Sequence, residues 1–177
     1  MPATASVAVQ VTRTGTLPPV PIVASVRTLT RGKPQITDIV CLTGDENDML
    51  AIAAAVERGS SHPLGLALVA EAERRGLDIP RAFGGSSVTP GKAVTARLKA
   101  GFVSVGSPRH AAEKSALTPD QAVQVSALEQ AGKTVVVVLM GSEVLGLIAL
   151  RDEPRPDARA GLEKLRSLGV RSVMLTG

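Results

Sequence analysis

The sequence predicts an α+β fold in which helix pairs flank an antiparallel β-sheet of about six strands. Three short runs with strand character follow one another between residues 87 and 105, and two Val-rich runs at 134–140 and 144–150 are separated by a turn typical of a hairpin. Segments of strong helix formers, with capping residues of their own, precede and separate these runs. This order of strand, helix pair, short strands, helices and hairpin indicates an antiparallel sheet covered by helices and not a doubly wound sheet.

The first predicted elements are a strand and a pair of helices. Residues 35–42 are rich in Ile and Val and predict a strand. A Thr-Gly-Asp turn then caps a helix over residues 46–58, and Pro63 occupies a favoured first position of a second helix. Gly76 ends that helix near residue 75.

The central elements complete the predicted sheet. Ser107 begins a short helix, and Thr118 begins another that runs to residue 131, with Gln121 in capping-box spacing. The Val-rich hairpin follows this helix. Short strands with alternating apolar and polar positions are predicted over residues 87–89, 93–98 and 102–105.

The predicted domain, residues 28–150, has a flanking segment on each side. Residues 1–27 contain several Pro and no acidic residue, which predicts an extended or divergent N-terminal segment. Beyond residue 150 the pattern changes to one helix ending near residue 168 and one strand at 171–175. Because a helix and one strand cannot bury a core, residues 151–177 are expected to be a fragment of a neighbouring domain.

Composition limits the classes of partner and ligand. The formal net charge of +4 favours anionic partners, but Lys and Arg are scattered without interleaved aromatic residues, so no nucleic-acid partner is expected. The single Cys41 indicates neither a disulfide nor a metal site and fits a reducing cytoplasm. No run is long and apolar enough for a membrane span, which predicts a soluble chain. Rings that could stack on a flat ligand are limited to Phe83, Phe102, His62 and His110.

Two motifs are candidate ligand sites. In the first, Glu57 and Ser60 precede His62 at the junction of the two predicted helices. An imidazole can stack on a purine, and a carboxylate can accept a hydrogen bond from the exocyclic amine of that purine. The simpler interpretation of His62 is a solvated or helix-capping residue. In the second, Gly91 permits close backbone approach to a phosphate chain and Lys92 supplies a positive charge. Its simpler interpretation is a strand-entry turn with an exposed Lys.

A third pattern, residues 127–134, fits a permissive phosphate-binding loop but has its elements in the wrong order. A phosphate-binding loop needs a strand before it and a helix after it, so that the helix N-terminus faces the phosphates. Here a predicted helix precedes the pattern and a strand follows. We interpret it as a plain helix–turn–strand junction.

Taken together, residues 28–177 resemble the nucleotide-binding (N) domain of heavy-metal-transporting P-type ATPases, followed by part of the phosphorylation domain. The order of the motifs carries the resemblance. The family's Ser-x-His-Pro-Leu run corresponds to Ser60–Leu64, and its upstream Glu corresponds to Glu57. Its Gly-x-Gly motif corresponds to Gly91–Ala93, with Ala in place of the second Gly. Its Val-Gly-Asn motif corresponds to Val105–Ser107, with Ser in place of Asn.

The resemblance implies a site for ATP or ADP. His62 would stack on adenine and Glu57 would hydrogen-bond its edge. Gly91 and the strand around Val94 would run alongside the base and the ribose. Gly106 and Ser107 would line the pocket wall. Two departures are expected to affect affinity, because Ala93 adds a methyl group that crowds the nucleotide and Ser107 reaches less far than Asn.

The resemblance also implies partners and a limit on activity. In an intact pump the domain is cytoplasmic, Mg²⁺ accompanies the nucleotide, and the partners are the phosphorylation, actuator and transmembrane domains. Two stretches are similar to the phosphorylated loop; one has Thr12 where the Asp should be, and the other, whose downstream spacing fits better, has Ala24. The isolated chain, expected to be a monomer, should therefore bind ATP without efficiently hydrolysing it. No residue is therefore predicted to be catalytic or to bind a metal. A small haloacid-dehalogenase-like phosphatase and a ligand-free regulatory fragment are the alternatives.

Overall fold

The computed structural model describes residues 32–114, 116–152 and 156–167. The described part of the chain contains six strands and five helices, in the order strand, two helices, three strands, two helices, two strands and a final helix. Their bounds are β1 (Gln35–Cys41), α1 (Glu46–Glu57), α2 (Pro63–Arg74), β2 (Phe83–Thr89), β3 (Ala93–Leu98), β4 (Gly101–Gly106), α3 (Pro108–Glu113), α4 (Pro119–Gln130), β5 (Thr134–Met140), β6 (Glu143–Arg151) and α5 (Pro156–Ser167).

The six strands form one sheet in the order β1-β6-β5-β4-β3-β2, and every neighbouring pair is antiparallel. The predicted α+β class and the predicted six-stranded antiparallel sheet are therefore confirmed. Both strands of the Val-rich hairpin β5–β6 lie in the interior of the sheet, which explains why they are apolar on both sides.

Each face of the sheet has its own core because successive side chains of a strand point to opposite faces. Along β5, Val136 and Val138 join the core under α1 and α2, whereas Val135, Val137 and Leu139 join the core under α3 and α4. The larger core also contains buried residues of β3 and β4, and α1 contributes most of its length to it. The helix pairs thus cover opposite faces of the sheet.

Helix α1 lies close to the sheet at a glycine. A Cβ atom on Gly146 of β6 would collide with the sulfur of Met49 and with the backbone carbonyl of Val40. The bare backbone at this position therefore lets the fully buried Met49 of α1 pack directly on the β1–β6 pair. At its N-terminus α1 is capped by Asp45, whose carboxylate accepts from the amides of Asn47 and Asp48.

Strand β2 is longer than the sequence predicts. It begins at Phe83 rather than at residue 87, because Gly84 and Gly85 remain in the strand at φ values of 77° and 81° and its register shifts between Phe83 and Ser86. A Gly-Gly pair suggests a loop, but glycine also allows the left-handed conformation of a bulge. All seven residues of this edge strand are exposed.

Residues Pro34–Arg151 form one compact unit, and the described residues beyond them belong to a second. In the second unit, the carboxylate of Asp152 accepts from the amides of Gly32 and Lys33 at 3.1 and 3.3 Å. The predicted segment 1–27 and the predicted strand at 171–175 lie outside the described residues. Among the helices that the structure describes, none is long and apolar enough to cross a membrane.

Candidate functional site

The loop between α1 and α2 is held by Ser60. Its amide donates to the carbonyl of Glu57 at 2.8 Å, and its hydroxyl oxygen accepts from the amide of His62 at 3.1 Å. These two bonds satisfy backbone groups that the end of α1 and the start of α2 would otherwise leave unpaired. Glu57, Ser60 and His62, which the sequence predicts as one motif, are therefore close together.

His62 is the N-cap residue of α2. Its Nδ1 atom accepts from the amide of Leu64 at 3.2 Å, and its carbonyl accepts from the amide of Leu66 at 3.0 Å. A ring nitrogen that accepts carries no proton, so the proton of the neutral imidazole lies on Nε2. The residue is exposed. The capping interpretation and the ligand interpretation of His62 are compatible, because the cap fixes the ring and leaves it accessible to solvent.

The carboxyl group of Glu57 is buried at the same loop. The residue is 6% exposed, and Oε2 has no hydrogen-bond partner among the described residues. It lies over Gly65 of α2, where a Cβ atom would be 2.9 Å from both the Glu57 carboxyl carbon and the Ser60 hydroxyl oxygen. Burial raises the pKa of Glu57, and the Ser60 hydroxyl opposes that rise. The missing side chain at Gly65 therefore makes the space that the carboxyl group occupies.

A second group of predicted residues lies where β3 begins and β4 ends. Gly91 turns the chain at a φ of 71°, and the amide of Lys92 donates to the carbonyl of Thr89 at 3.0 Å. Ala93 pairs with Gly106, and the amide of Ser107 donates to the carbonyl of Lys92 at 2.9 Å. The structure thus brings Lys92, Ala93, Gly106 and Ser107 together.

The polar side chains of this second group interact with α3. Lys92, predicted to lie beside phosphates, has its Nζ atom 2.6 Å from Oε2 of Glu113. The hydrogen bond from Lys92 is the main reason why the pKa of Glu113 is lowered. The hydroxyl oxygen of Ser107 caps α3 by accepting from the amide of His110 at 3.2 Å. Both side chains would have to change partner to contact a nucleotide.

The methyl group of Ala93, predicted to crowd the nucleotide, is buried in the structure. Ala93 is 8% exposed, and its Cβ atom lies 2.7 Å from the position that a Cβ atom on Gly106 would occupy. The methyl group therefore fills the space above Gly106. Val94, the next residue, faces the α1–α2 core instead.

Val88 is a candidate that the sequence does not single out. It pairs with Val94, and directly opposed residues of neighbouring strands share a face of the sheet. Val88 is 62% exposed, so it presents an apolar side chain beside the α1–α2 core. Its place opposite Val94 follows from the register of β2 and β3, which a single sequence does not give.

Three of the four candidate rings are poorly placed for a ligand at the α1–α2 loop. Phe83 and Phe102 both pair with Arg97, whose guanidinium carbon lies 5.9 Å from the Phe102 ring centre. They lie at the opposite ends of their strands from Gly91. The ring nitrogens of His110 are buried without partners in the described part, and burial lowers the pKa of this residue. This leaves His62 as the accessible ring at the loop.

Comparisons with known proteins agree on the family of this chain. The family model of haloacid dehalogenase-like hydrolases matches residues 28–177. A copper-exporting P-type ATPase B of Archaeoglobus fulgidus is 39% identical over 150 residues, which cover 85% of this chain and 21% of the relative. A crystal structure of a zinc-transporting PIB-type ATPase in the E2.Pi state has a TM-score of 0.67 and 39% identity, over 84% of this chain and 24% of that one.

An isolated domain gives the most direct structural comparison. The crystal structure of the N-domain of a copper-transporting P-type ATPase has a TM-score of 0.57 and 31% identity, and the match covers 66% of this chain and 99% of that domain. The chain spans about a fifth of the length of the curated relatives it matches. It belongs to the haloacid dehalogenase-like hydrolases and, within them, to the heavy-metal-transporting P-type ATPases, with the fold of their N-domain.

Proposed function

We propose that this chain binds ATP and ADP as the nucleotide-binding domain of a heavy-metal cation-transporting P-type ATPase. The observation that carries the proposal is the pairing of an exposed, fixed imidazole at His62 with a buried carboxyl group at Glu57 in one short loop. Stacking of a base on a ring contributes about 1–3 kcal/mol. The cap on Nδ1 reduces the entropy that the ring loses when adenine stacks on it.

Glu57 suits the edge of adenine for an electrostatic reason. A buried acceptor without a partner costs about 1–3 kcal/mol, and more when it is charged. The exocyclic amine of adenine would supply a donor to this carboxyl group once the base stacks on His62. Ser60, which is hydrogen-bonded to the backbone of both Glu57 and His62, holds the two residues close together.

The strand side of the proposed site combines apolar surface with bare backbone. The exposed Val88, which pairs with the largely buried Val94, offers an apolar wall for the base, and Gly91 lets the chain approach the ribose and phosphates. Gly106 and Ser107 form the adjoining wall next to Ala93. Lys92 would contribute its charge to the phosphates after exchanging Glu113 for them.

The proposed activity of the isolated chain is binding without efficient hydrolysis. Ala24 occupies the position expected for the phosphorylated Asp, and Asp152 is already engaged with two backbone amides. Within the described residues no group of three His, Cys, Asp or Glu side chains could hold a metal ion, so Mg²⁺ would enter bound to the nucleotide. Phosphoryl transfer would then depend on the phosphorylation domain of the pump.

We extend the proposal to the parent protein. Residues 28–150 would be the nucleotide-binding domain and residues 151–177 part of the phosphorylation domain; the compact unit Pro34–Arg151 supports this division. The partners would be the remaining phosphorylation domain, the actuator domain and the transmembrane domain, with this domain on the cytoplasmic side. The relatives include copper and zinc pumps, and the cargo of this one would be a metal of that class.

An NMR titration tests the proposal. ATP and ADP should each shift the backbone amides of residues 60–62, 64–66 and 91–94 with one saturation curve. Shifts confined to other parts of the domain would contradict the assigned pocket. A melting temperature unchanged at millimolar ATP would favour the ligand-free alternative, since a ligand well above its Kd stabilises the fold. Phosphatase activity abolished by a substitution of Asp152 would favour the phosphatase alternative.

A further inference from the structure

A cleft lies beside the α1–α2 loop. This cleft of about 290 Å³ is formed by the C-terminal end of α1, the segment before β2 and the bulge within β2. None of the nine residues predicted for the nucleotide site lines it. Its lining residues are Ala55, Arg58, Gly59, Arg81, Ala82, Gly85 and Ser86.

The lining of the cleft is cationic. Arg58 and Arg81 are both exposed, and neither takes part in an ion pair within the ranges that the structure describes. No acidic residue lines the cleft. The surrounding sequence has the same bias, because residues 79–112 contain five Lys or Arg and no Asp or Glu. Two guanidinium groups that line one cleft and have no ion-pair partner among the described residues indicate an oxyanion ligand.

The backbone of the cleft suits a compact ligand. Gly85 has a φ of 81° in the bulge of β2, and a Cβ atom on Gly59 would lie 3.8 Å from the Ser86 hydroxyl oxygen. Ala55 and Ala82 complete the lining with small side chains. Bare backbone lets an anion approach amide groups closely, and the Ser86 hydroxyl adds a further donor.

The end of α1 opposes an anion but does not outweigh the arginines. A helix C-terminus acts as about half a negative elementary charge. Arg58 and Arg81 each carry a full positive charge. The sum is positive, so the field in the cleft favours an anion.

We propose that this cleft binds a phosphate-class oxyanion between Arg58 and Arg81. Two sources supply that chemistry: free inorganic phosphate, or the triphosphate of a nucleotide whose base lies at His62. In the second case the phosphates would lie at Arg58 and Arg81 instead of at Lys92, which does not line the cleft. The inference rests on the proposed nucleotide function only for the second source. Gly59, which lines the cleft, is two residues from Glu57 and three from His62, so the cleft adjoins the proposed base site along the chain.

The first test uses inorganic phosphate at constant ionic strength. The amides of Gly59, Gly85 and Ser86 should shift along one saturable curve, whereas chloride at equal ionic strength should not move them. Arg81→Gln, at an exposed position where folding should be unaffected, should weaken phosphate binding about tenfold. Arg97→Gln is the matched control, because Arg97 is an exposed arginine of β3 that does not line the cleft. This control variant should bind phosphate like the wild type.

The second test distinguishes the sources with ATP and adenosine. If the triphosphate is the natural occupant, Arg81→Gln weakens ATP about tenfold and leaves adenosine unchanged. If free phosphate is the occupant, the same variant binds ATP like the wild type and loses phosphate affinity. Phosphate binding that survives in His62→Asn while ATP binding is lost separates this inference from the nucleotide proposal. Wild-type affinity of Arg81→Gln and Arg58→Gln for both phosphate and ATP would overturn it.

Discussion

Ala93 and Gly106 face each other across β3 and β4, with the Ala93 methyl carbon 2.7 Å from the place where a Cβ atom on Gly106 would lie. The Lys92 carbonyl oxygen, at 2.8 Å, and the ring of His110, at 3.2 Å, close the same space. Only one of the two paired positions can carry a side chain. The methyl group at Ala93, a departure from the Gly-x-Gly pattern, is accommodated because Gly106 has none.

We predict that Gly106→Ala lowers the free energy of unfolding by about 1–3 kcal/mol, because extra methyl groups in a packed site force backbone shifts. Urea denaturation measures the change. Gly59→Ala is the control, since the nearest atom to its added Cβ would be 3.8 Å away. The double variant Ala93→Gly/Gly106→Ala should recover part of the loss; no recovery would mean that the methyl–methyl contact is not the cause.

Gly65→Ala should weaken ATP binding about tenfold with little change in stability. The new Cβ would displace the carboxyl group of Glu57, whereas the gain in helix propensity of about 1 kcal/mol offsets the strain. Calorimetric titration with ATP measures the effect. Gly161→Ala in α5, where a Cβ would meet nothing within 4 Å, is the control. Wild-type affinity in Gly65→Ala would show that the position of Glu57 does not matter for ATP.

Glu71 should make the stability of the helix pair depend on acidic pH. Hydrogen bonds from Arg74 above all, and from Arg75, lower the pKa of Glu71 from 4.5 to about 2. A lowered pKa means that the folded state binds fewer protons, so the stabilisation is present above about pH 4.5 and is lost as pH falls towards 2.

The corresponding experiment compares Glu71→Gln with the wild type. The variant should be less stable by about 1 kcal/mol at neutral pH, a small figure because solvent screens the pair. The difference should shrink as pH falls below 4.5. Urea denaturation at several pH values measures it, with the exposed Glu73→Gln as control. A difference that stays constant from pH 7 to pH 2 would contradict the assignment.

Glu113→Gln should tighten ATP binding about two- to fourfold, an effect of the size typical for an exposed ion pair. The substitution releases Lys92 from its contact with Oε2 of Glu113 and leaves its charge available to phosphates. Adenosine, which has no phosphate, should bind unchanged, and Glu129→Gln on α4 should alter neither ligand. Unchanged ATP affinity in Glu113→Gln would place the phosphates away from Lys92.

Much of the fold follows from the sequence because its signals are local. Pro63, Thr118 and the Val-rich hairpin each identify an element through residues within a few positions, and the structure has those elements. The start of β2 is different, because Gly84 and Gly85 are equally compatible with a loop and with a bulge, and only pairing with β3 decides between them.

The candidate site follows from the sequence less completely, since it depends on contacts between distant residues. Glu57, Ser60 and His62 are close in the sequence, and they also lie close together in the structure. The contact of Lys92 with Glu113 joins residues 21 positions apart, and the fit of Ala93 on Gly106 depends on strand register. Neither is encoded by a local pattern. The cleft at Arg58 and Arg81 depends on the same kind of long-range packing.

The proposed adenine site is tested most directly by calorimetric titration of ATP into the wild type and two variants of His62. His62→Asn keeps an N-cap acceptor for the Leu64 amide but removes the ring, whereas His62→Phe keeps a ring and removes the acceptor. Loss of about 1–3 kcal/mol of stacking should weaken binding to His62→Asn by a factor of about 5 to 150. His62→Phe should retain most of the affinity. ATP affinity that is unchanged in His62→Asn would contradict the claim that adenine stacks on His62.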